Sequence, residues 1–548
     1  MAVYSIKRKN LNFLTDSQLK EGLPMIKCEL ENFGDEIEIQ TTSDRPDLLS
    51  VQGVSRALKG FFELETGLPS LSTEKLGKSG VKIFKDNDIS LIRPYIVSAT
   101  VKKKITEEDL IELMGVQERL HQTHGRKRRK ISIGIHDASK IKPPFYYKAV
   151  KPESVSFVPL NEEKEMNLKE ILEKTPKGKD YAFILNGFEK YPILVDSEDN
   201  VLSFPPIING TLTTLKPGST DILIDITGTD FEACNSTLNI LCQDFMDRGG
   251  KVQTVEIIGK DKVETPQTEP ENMILDLNYA NKTLGTNFSD KEAVKLFKKQ
   301  RLNAESDNGK INCEIPRYRT DFIHPVDLAE ELAIGFGLNN FEIETPSLFT
   351  KGGLSWQTLM TEKARNVLSA GGFVEIANHV LASEELMVKC EVKTYIKIQN
   401  PVSKDYSVLR SELLPLLLET ASKNTHHSYP QKIFEVGEVA LFDKTIQTNL
   451  NASALILSSN ASLTEIASHF SIFSKAAGFE FTLEKKEDKK FLKNRSLAIK
   501  VNGIEQGMMG EVNPEILTNL GIEMPASAFE FTLSKLHSTA SKQFKEKI

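Results

Sequence analysis

The segment Pro316–Gly337 constrains local structure more than any other part of this sequence, because proline, glycine and apolar positions all predict one helix. Pro325 suits the first helical position, and Gly335 and Gly337 are typical of a helix end. Side chains spaced at helical intervals fill one arc of that helix. They are Val326, Leu328, Ala329, Leu332, Ala333 and Phe336.

Acidic side chains fill the other face of the predicted helix. Asp327, Glu330 and Glu331 fall at i, i+3 and i+4, and Asp321 precedes them on a predicted extended segment. Acids gathered in this way repel one another unless a cation joins them, and hard oxygen ligands suit Mg²⁺. A solvated acidic face that complements the helix dipole is the alternative.

Length and charge limit the class of protein. A chain of 548 residues is too long for a single core, so about three or four domains are expected. The amino terminus has no apolar signal segment and no apolar run reaches membrane-spanning length, which predicts a cytoplasmic protein with no membrane partner. Five cysteines without paired short spacing fit a reducing compartment. With a net charge of −7, any nucleic acid must bind at local basic patches.

The first 85 residues predict a small mixed α/β domain. An alternating strand at 36–40 leads into a turn, and a helix is expected from Leu48 to Phe62. Asp44 and Asp47 in the turn are interpreted as helix caps.

The basic run Arg126–Lys130 follows a helix that is predicted to start after Thr106 and to run to Gly125. This run is the best local candidate for a phosphate contact, although such runs are often only solvated. The strand that follows, 131–135, ends in His136 and Asp137. That pair is either acid/base machinery or a hydrogen-bonded turn.

The aliphatic strand 222–227 carries an acid and a hydroxyl on one face. Asp225 and Thr227 alternate with the isoleucines, and an acid inside such a strand needs a partner or a ligand. Asp230 is predicted to cap the next helix, 231–248. Downstream, helices are expected at 275–284 and 290–302. No base-reading set of side chains stands out on them, so DNA is not an expected partner.

Four groups of residues, in order along the chain, resemble the beta subunits of phenylalanyl-tRNA synthetase, within the class II aminoacyl-tRNA synthetase family. The first lies at 44–53 (DRPDLLSVQG) and the third is the acidic segment 318–334. The second comprises 125–129 (GRKRR), 133–137 (IGIHD), 205–209 (PPIIN) and 227–230 (TGTD), and the last spans 400–418 and 432–437. The length favours the shorter archaeal or eukaryotic cytosolic type.

The resemblance implies an α+β multidomain fold. We expect an N-terminal α/β module (1–85), an α/β editing domain (86–265), a winged-helix-like module with the acidic cluster (266–345) and a degenerate class II synthetase core built on an antiparallel sheet (346–548). That last domain is expected to be inactive, because Phe434 is followed by Glu435 where active members carry a phosphate-binding arginine. Arg410 is expected to be a structural ion-pair partner.

The resemblance also implies a function. Such a subunit works with a catalytic alpha subunit, as two alpha and two beta chains, to attach phenylalanine to tRNA(Phe). ATP is bound mainly by alpha, and Mg²⁺ would be held by Asp321, Asp327, Glu330 and Glu331. The editing domain would hydrolyse mischarged tyrosyl-tRNA(Phe), since a pocket for phenylalanine cannot strongly reject tyrosine.

The editing site is predicted at Asp225 and Thr227, with His136 as a further candidate. Backbone N–H groups near Gly134 or Gly228 would orient the ester or a water. Two alternatives stay open at this point: a scaffold subunit that binds tRNA without editing, and a free-standing RNA-binding protein.

Overall fold

A computed structural model describes residues 2–539, and the chain divides into two compact units, Met1–Thr345 and Pro346–Ile548. The first unit opens with a three-stranded antiparallel sheet in the order β1-β3-β2, covered by helices around an aliphatic core. Its elements are β1 (Ala2–Lys7), α1 (Asp16–Met25), β2 (Cys28–Asn32), β3 (Glu36–Thr41), α2 (Val51–Phe61) and α3 (Ser70–Thr73).

The predicted helix from Leu48 and its acidic caps need correction. A short 3-10 turn covers 46–49, and α2 begins only at Val51, capped by Ser50, whose hydroxyl accepts from the Gly53 N–H. Asp47 instead forms a two-pronged, buried ion pair with Arg45. Asp44 pairs with a lysine outside the turn. Both acids therefore form ion pairs, and neither caps the helix.

A mixed ten-stranded sheet forms the middle of the unit, in the order β12-β11-β10-β7-β4-β14-β5-β13-β6 with β15 added to β14. This part of the chain comprises β4 (Gly77–Lys85), β5 (Tyr95–Lys102), α4 (Glu107–Gln122), β6 (Ile131–Asp137), β7 (Phe145–Val150), β8 (Ser156–Phe157), β9 (Met166–Asn167), α5 (Leu168–Lys174), α6 (Pro176–Tyr181), β10 (Tyr191–Val195), β11 (Val201–Phe204), β12 (Ile208–Asn209), β13 (Asp221–Gly228), α7 (Phe231–Asp247), β14 (Lys251–Ile258) and β15 (Lys262–Thr265). Strands β8 and β9 pair with each other outside the ten-stranded sheet. Since β4 pairs with β14 and β7, the expected boundary at residue 85 falls at the end of a strand of this sheet.

The alternation predicted for 222–227 is present in β13. Ile222, Ile224 and Ile226 join the core beneath α7, whereas Leu223 packs into a separate cluster on the other face. Asp230 caps α7 by accepting from the Ala233 N–H, as predicted. The isoleucine face therefore anchors the strand, and the opposite face is left to carry Asp225.

The unit ends in a small module whose antiparallel sheet has the order β16-β18-β17. Its elements are β16 (Glu271–Asp276), α8 (Leu277–Leu284), α9 (Asp290–Lys299), β17 (Asn303–Asp307), β18 (Lys310–Ile315) and α10 (Pro325–Phe336). Helix α10 begins at Pro325 as predicted, and the chain leaves it at Gly337 with φ +94°, which favours glycine. Helix α8 begins two residues later than expected because Leu275 belongs to β16.

The second unit is built on a seven-stranded sheet, β19-β23-β24-β28-β27-β26-β25, antiparallel except where β19 joins β23. Its elements are α11 (Trp356–Ala370), β19 (Val374–Glu375), β20 (Leu381–Ala382), α12 (Glu384–Lys389), β21 (Ile396–Lys397), β22 (Val408–Leu409), α13 (Leu414–Lys423), β23 (Gln431–Asp443), β24 (Thr445–Leu457), α14 (Leu463–Ala477), β25 (Thr482–Lys485), β26 (Phe491–Val501), β27 (Ile504–Val512), α15 (Pro514–Asn519), β28 (Ala526–Thr532) and α16 (Ser534–Thr539).

Arg410 of this unit is buried and donates to Glu435 on β23, with 2.5 Å between Nη1 and Oε1. Glu435 therefore has a structural partner, as expected for Arg410. Within residues 2–539, no helix is both long enough and apolar enough to cross a bilayer. The cysteines are buried free thiols at Cys28, Cys234, Cys242, Cys313 and Cys390.

Candidate active site

A cavity of about 870 Å³ lies at the β6 edge of the ten-stranded sheet. One wall is helix α4, which contributes Leu110, Leu113, Met114, Gln117 and Glu118. Residues 132–135 of β6 form the floor, and residues 203–210 form a second wall. The lining is mostly apolar with a few polar groups, which is typical of small-ligand sites. Asp225 opens into this cavity from β13.

Gly134 lets Asp225 reach the cavity. The two residues lie directly opposite each other in the β6–β13 ladder. A Cβ atom at Gly134 would lie 2.3 Å from Asp225 Oδ1 and 2.6 Å from His136 Nε2. Contacts this short are not tolerated, so any larger residue would displace the carboxylate. The glycine is therefore required by the close approach of these two side chains.

His136 holds the carboxylate of Asp225. His136 Nε2 lies 2.6 Å from Asp225 Oδ1, and its Nδ1 lies 2.7 Å from Thr213 Oγ1. Both Asp225 and His136 are almost completely buried, so each needs the other as a polar partner. When the ring is neutral and Nε2 donates, Nδ1 accepts the Thr213 hydroxyl proton; when the ring is charged, both nitrogens donate. The hydroxyl of Thr213 can serve either state.

Thr227 does not line the cavity, which corrects the prediction that it would do so beside Asp225. Its hydroxyl accepts from Arg93 Nε at 2.8 Å, and Arg93 Nη2 donates to the Thr227 carbonyl at 2.7 Å. Ser132 Oγ, which does face the cavity, lies 3.0 Å from Thr227 Oγ1. Thr227 thus sits one layer behind the cavity wall. Arg93 is fully buried, and burial lowers its pKa.

The edge strand β6 offers a backbone donor to the cavity. The Ile133 N–H points away from β13, because it donates to His121 Nε2 at 2.8 Å. In an antiparallel ladder, residues two apart point the same way, so the N–H of Ile135 also faces outward from the sheet edge. Gly134 instead faces its partner strand, and Gly228 lies against Lys130 and Cys234 outside the cavity lining. Ile135 is therefore a better candidate than either glycine for holding an oxyanion.

A buried hydroxyl in the cavity wall has no protein partner. Ser203 Oγ is buried, lines the cavity, and makes no hydrogen bond to any described residue. An unsatisfied buried hydroxyl of this kind calls for a ligand or a water. It therefore marks a point at which a bound molecule can form a hydrogen bond.

Two of the five cations in the basic run have structural partners. Arg128 is buried, donates to the carbonyls of Pro206 and Ile207, and reaches Glu118 at 3.3 Å. It thereby ties the 203–210 wall to helix α4. Lys130 pairs with Asp230 at 3.2 Å. Arg128 and Lys130 are thus removed from the phosphate contact that was predicted for the whole run, which leaves Arg126, Lys127 and Arg129 exposed.

The four acids of the α10 segment do not converge. Arg319 binds Asp321 through two hydrogen bonds and Glu331 through a third, at 2.7–2.9 Å, and all three side chains are buried. Burial alone would raise the pKa of Asp321, but the Arg319 guanidinium holds it well below the usual range. Asp327 instead accepts from the backbone of Ile323 and His324, as a helix cap.

Glu330 points elsewhere and pairs with Lys27 of the first module at 3.1 Å. Among residues 2–539, no cluster of three or more His, Cys, Asp or Glu side chains could hold a metal ion. The residues present therefore do not fit Mg²⁺ in this arrangement, since a guanidinium occupies the place that a shared cation would take. Mg²⁺ at these acids stays a prediction.

Sequence reasoning found Asp225 and His136 but missed the groups that complete the site. Thr213, Ser203 and Arg93 come from separate loops and strands, and no spacing in the chain links them to β13. Ile135 carries no chemical signal at all, because its contribution is a backbone N–H at a sheet edge. Only strand order could have identified it.

Comparison with known proteins places this chain in a family. Residues 343–533 match the family described as phenylalanyl tRNA synthetase beta chain CLM domain, and residues 273–338 match the tRNA synthetase B5 domain. Phenylalanine–tRNA ligase beta subunits are similar over nearly the whole chain. The one from Korarchaeum cryptofilum is 38% identical, covering 97% of this chain and 98% of its own length. The one from Archaeoglobus fulgidus is 39% identical, covering 94% and 95%.

A solved structure agrees with the first unit. It is an N-terminal fragment of the phenylalanyl-tRNA synthetase beta subunit from Pyrococcus horikoshii, with 33% identity and a TM-score of 0.59. It covers 61% of this chain and is itself covered completely. The resemblance stated from the sequence is thus confirmed, and the chain belongs to the family of phenylalanine–tRNA ligase beta subunits, which are subunits of an aminoacyl-tRNA ligase.

Proposed function

We propose that the cavity beside Asp225 hydrolyses tyrosine that has been wrongly attached to tRNA(Phe), while the chain acts as the beta subunit of the ligase. The observation that carries this proposal is the buried Asp225–His136 pair, which opens into an apolar cavity large enough for an aromatic amino acid. A pocket that activates phenylalanine cannot strongly reject tyrosine, so a second site is needed to remove tyrosine that has been attached by mistake.

Asp225 gives the site its preference for tyrosine. Its Oδ1 is held by His136, so Oδ2 is left to accept a hydrogen bond from the phenol hydroxyl. Phenylalanine offers no such hydroxyl and would leave Oδ2 of the buried carboxylate without a hydrogen bond, which disfavours its binding. The Ser203 hydroxyl is a second point for hydrogen bonding in the same wall.

Hydrolysis then needs only a positioned water. Water adds to the ester carbonyl, the Ile135 N–H stabilises the negative charge that develops on the carbonyl oxygen, and the 3′-terminal ribose oxygen leaves and takes up a proton. Tyrosine and intact tRNA are the products. No nucleophilic side chain is required, in keeping with the absence of a Ser-His-Asp or Cys-His arrangement among the cavity-lining residues.

The remaining roles follow from family membership. We propose that this chain assembles with a catalytic alpha subunit as two alpha and two beta chains, that alpha binds ATP, and that the complex charges tRNA(Phe). Exposed apolar side chains on the segment that opens the second unit support a partner surface. Leu348 is 74% exposed and Phe349 is 103% exposed.

The test is deacylation of tyrosyl-tRNA(Phe) by the chain co-expressed with its alpha partner. Asp225→Asn should reduce hydrolysis at least about a hundredfold while phenylalanine charging is unchanged. The matched control is Asp221→Asn, an exposed acid in the same strand, which should leave both activities unchanged. Unchanged hydrolysis in Asp225→Asn would show that the cavity beside Asp225 does not carry out editing. Absence of hydrolysis by the wild type would favour the alternative that the chain is a scaffold subunit that binds tRNA without editing.

A further inference from the structure

A second cleft of about 320 Å³ adjoins the proposed editing cavity. Pro206 lines both depressions. Arg93 lines the cleft and donates to Thr227, whose hydroxyl in turn touches Ser132 at the cavity wall. Only one layer of side chains therefore separates the two depressions, which lie side by side.

The cleft presents flat, partly exposed rings. The Arg129 guanidinium lies over the Phe183 ring, 4.7 Å from its centroid. Phe183 and Phe188 are each 37% exposed, and Ile184 and Leu185 complete the apolar side. A planar cation stacked on an aromatic ring is a surface on which a nucleic-acid base can stack, whatever its identity.

Uncompensated positive charge lies on the same turn as Arg129, which lines the cleft. Arg126 and Lys127 are exposed, and among the described residues their side chains form no ion pair or hydrogen bond. Arg129 likewise has no carboxylate partner within residues 2–539, in contrast to Lys130 and its Asp230. In a chain whose net charge is −7, such local cations suit a phosphate backbone.

The backbone of the basic turn supports a functional role. Arg126, Lys127 and Arg128 are consecutive residues with φ of 49°, 54° and 63°. This left-handed conformation is unfavourable for residues with a Cβ, and strained backbone tends to cluster at ligand sites. The turn is held by the bonds of Arg128 to the 203–210 wall. The turn that carries the remaining cations is thereby held in place, with Arg129 in the cleft.

We propose that this cleft binds the single-stranded nucleotides that precede the terminal adenosine of an aminoacyl-tRNA while its aminoacyl end occupies the cavity. Bases stack on the surface formed by Phe183, Arg129 and Phe188, and the backbone phosphates meet Arg126 and Lys127. An acidic peptide would satisfy the cations but would leave the stacking surface unused. The inference rests on the proposed editing function, which supplies the ligand whose end enters the cavity.

The experiment compares two substrates on the complex with alpha: the tyrosyl ester of adenosine and the tyrosyl ester of the trinucleotide CCA. The wild type should hydrolyse the trinucleotide ester with kcat/KM about tenfold higher, because stacking and phosphate contacts add binding energy. Phe183→Ala should lower kcat/KM for the trinucleotide ester about tenfold and leave the adenosine ester unchanged. Tyr146→Ala is the matched control, since it removes a similarly exposed ring (38%) outside the cleft.

Each outcome decides the proposal. Equal hydrolysis of both esters by the wild type, or equal loss on both in Phe183→Ala, would overturn it. If the wild type hydrolyses neither ester, the editing function fails, and the cleft is then tested by anisotropy of a fluorescent CCA trinucleotide. Binding that Phe183→Ala weakens about tenfold would support the cleft, and absence of binding would overturn it. Displacement of the trinucleotide by poly-glutamate at equal charge concentration would show an acidic-peptide site and overturn it as well.

Discussion

His136 Nε2 lies 2.6 Å from Asp225 Oδ1, and both side chains are buried, with Asp225 lining the cavity. The pair links β6 to β13 by a side-chain contact, in addition to the backbone hydrogen bonds between the two strands. A buried carboxylate without a partner is strongly disfavoured, so the imidazole fixes where the charge of Asp225 resides and which oxygen is left for a ligand. His136 is thus a positioning residue in the proposed reaction.

Replacing His136 should show whether it acts by orienting the Asp225 carboxylate or only by filling space. His136→Gln keeps an N–H donor toward Asp225, whereas His136→Leu removes it and leaves the carboxylate unpaired. We expect tyrosyl-tRNA(Phe) hydrolysis to fall less than about tenfold in the glutamine variant and more than about a hundredfold in the leucine variant. Phenylalanine charging should be unchanged in both. Equal hydrolysis by the two variants would show that the donor is not needed.

A second prediction concerns the lack of space for a side chain at Gly134. In Gly134→Ala the new methyl group would meet Asp225 Oδ1 at 2.3 Å, so the carboxylate must move. We expect hydrolysis to fall about a hundredfold, because displacements of about 1 Å at a reacting centre have effects of that size. Gly77→Ala in β4 is the control, since its nearest neighbour is 3.8 Å away. Loss of hydrolysis in both variants would indicate a general defect of the sheet.

The sequence predicted single elements well and the site only in part. The alternation in 222–227 identified β13 and its acid, because one face of a buried strand is read directly from residue type. The alternation could not show that Thr227 lies behind the cavity wall, because that position depends on a hydrogen bond from Arg93, which lies on a separate loop. Asp327, Glu330 and Glu331 share a helix face by spacing, yet Arg319 holds Glu331 in the core together with Asp321. Ion pairing between distant residues leaves no periodic signal, so geometry and not pattern decides such cases.

Arg319 itself gives a stability prediction. Arg319→Met would leave Asp321 and Glu331 buried without a cation, and we expect the free energy of unfolding of the first unit to fall by about 3–5 kcal/mol. The control is Glu330→Gln, which breaks only the more exposed pair with Lys27 and should have an effect below about 1 kcal/mol. Thermal midpoints measured in parallel would reveal the difference.

The same preparation tests the Mg²⁺ prediction. If Arg319 retains the two carboxylates, adding Mg²⁺ or removing it with a chelator should not shift the thermal midpoint of the wild type. A rise in the midpoint that saturates with Mg²⁺, and that is absent in Glu331→Gln, would instead show that these acids bind the ion.

His121 makes the first unit sensitive to acid. Burial lowers its pKa to about 4, and its Nε2 accepts the Ile133 N–H in the cavity floor, which requires the unprotonated nitrogen. In the unfolded chain the pKa is ordinary, about 6.5. Between these values the unfolded state binds a proton that the folded state does not. The stabilising contribution is therefore complete above pH 6.5 and is lost as the pH falls toward 4, by about 2–3 kcal/mol at pH 4.5.

His121→Gln should remove this dependence, because its side-chain oxygen can still accept from Ile133 but does not titrate. We expect the thermal midpoint of the wild type to fall relative to that of the variant as the pH is lowered from 7 to 4.5. Replacement of the exposed His426 by glutamine is the control and should leave the wild-type pH dependence in place. A variant that follows the wild type at every pH would mean that His121 titrates alike in the folded and unfolded states. The acid sensitivity of the cavity floor would then have to arise from another group.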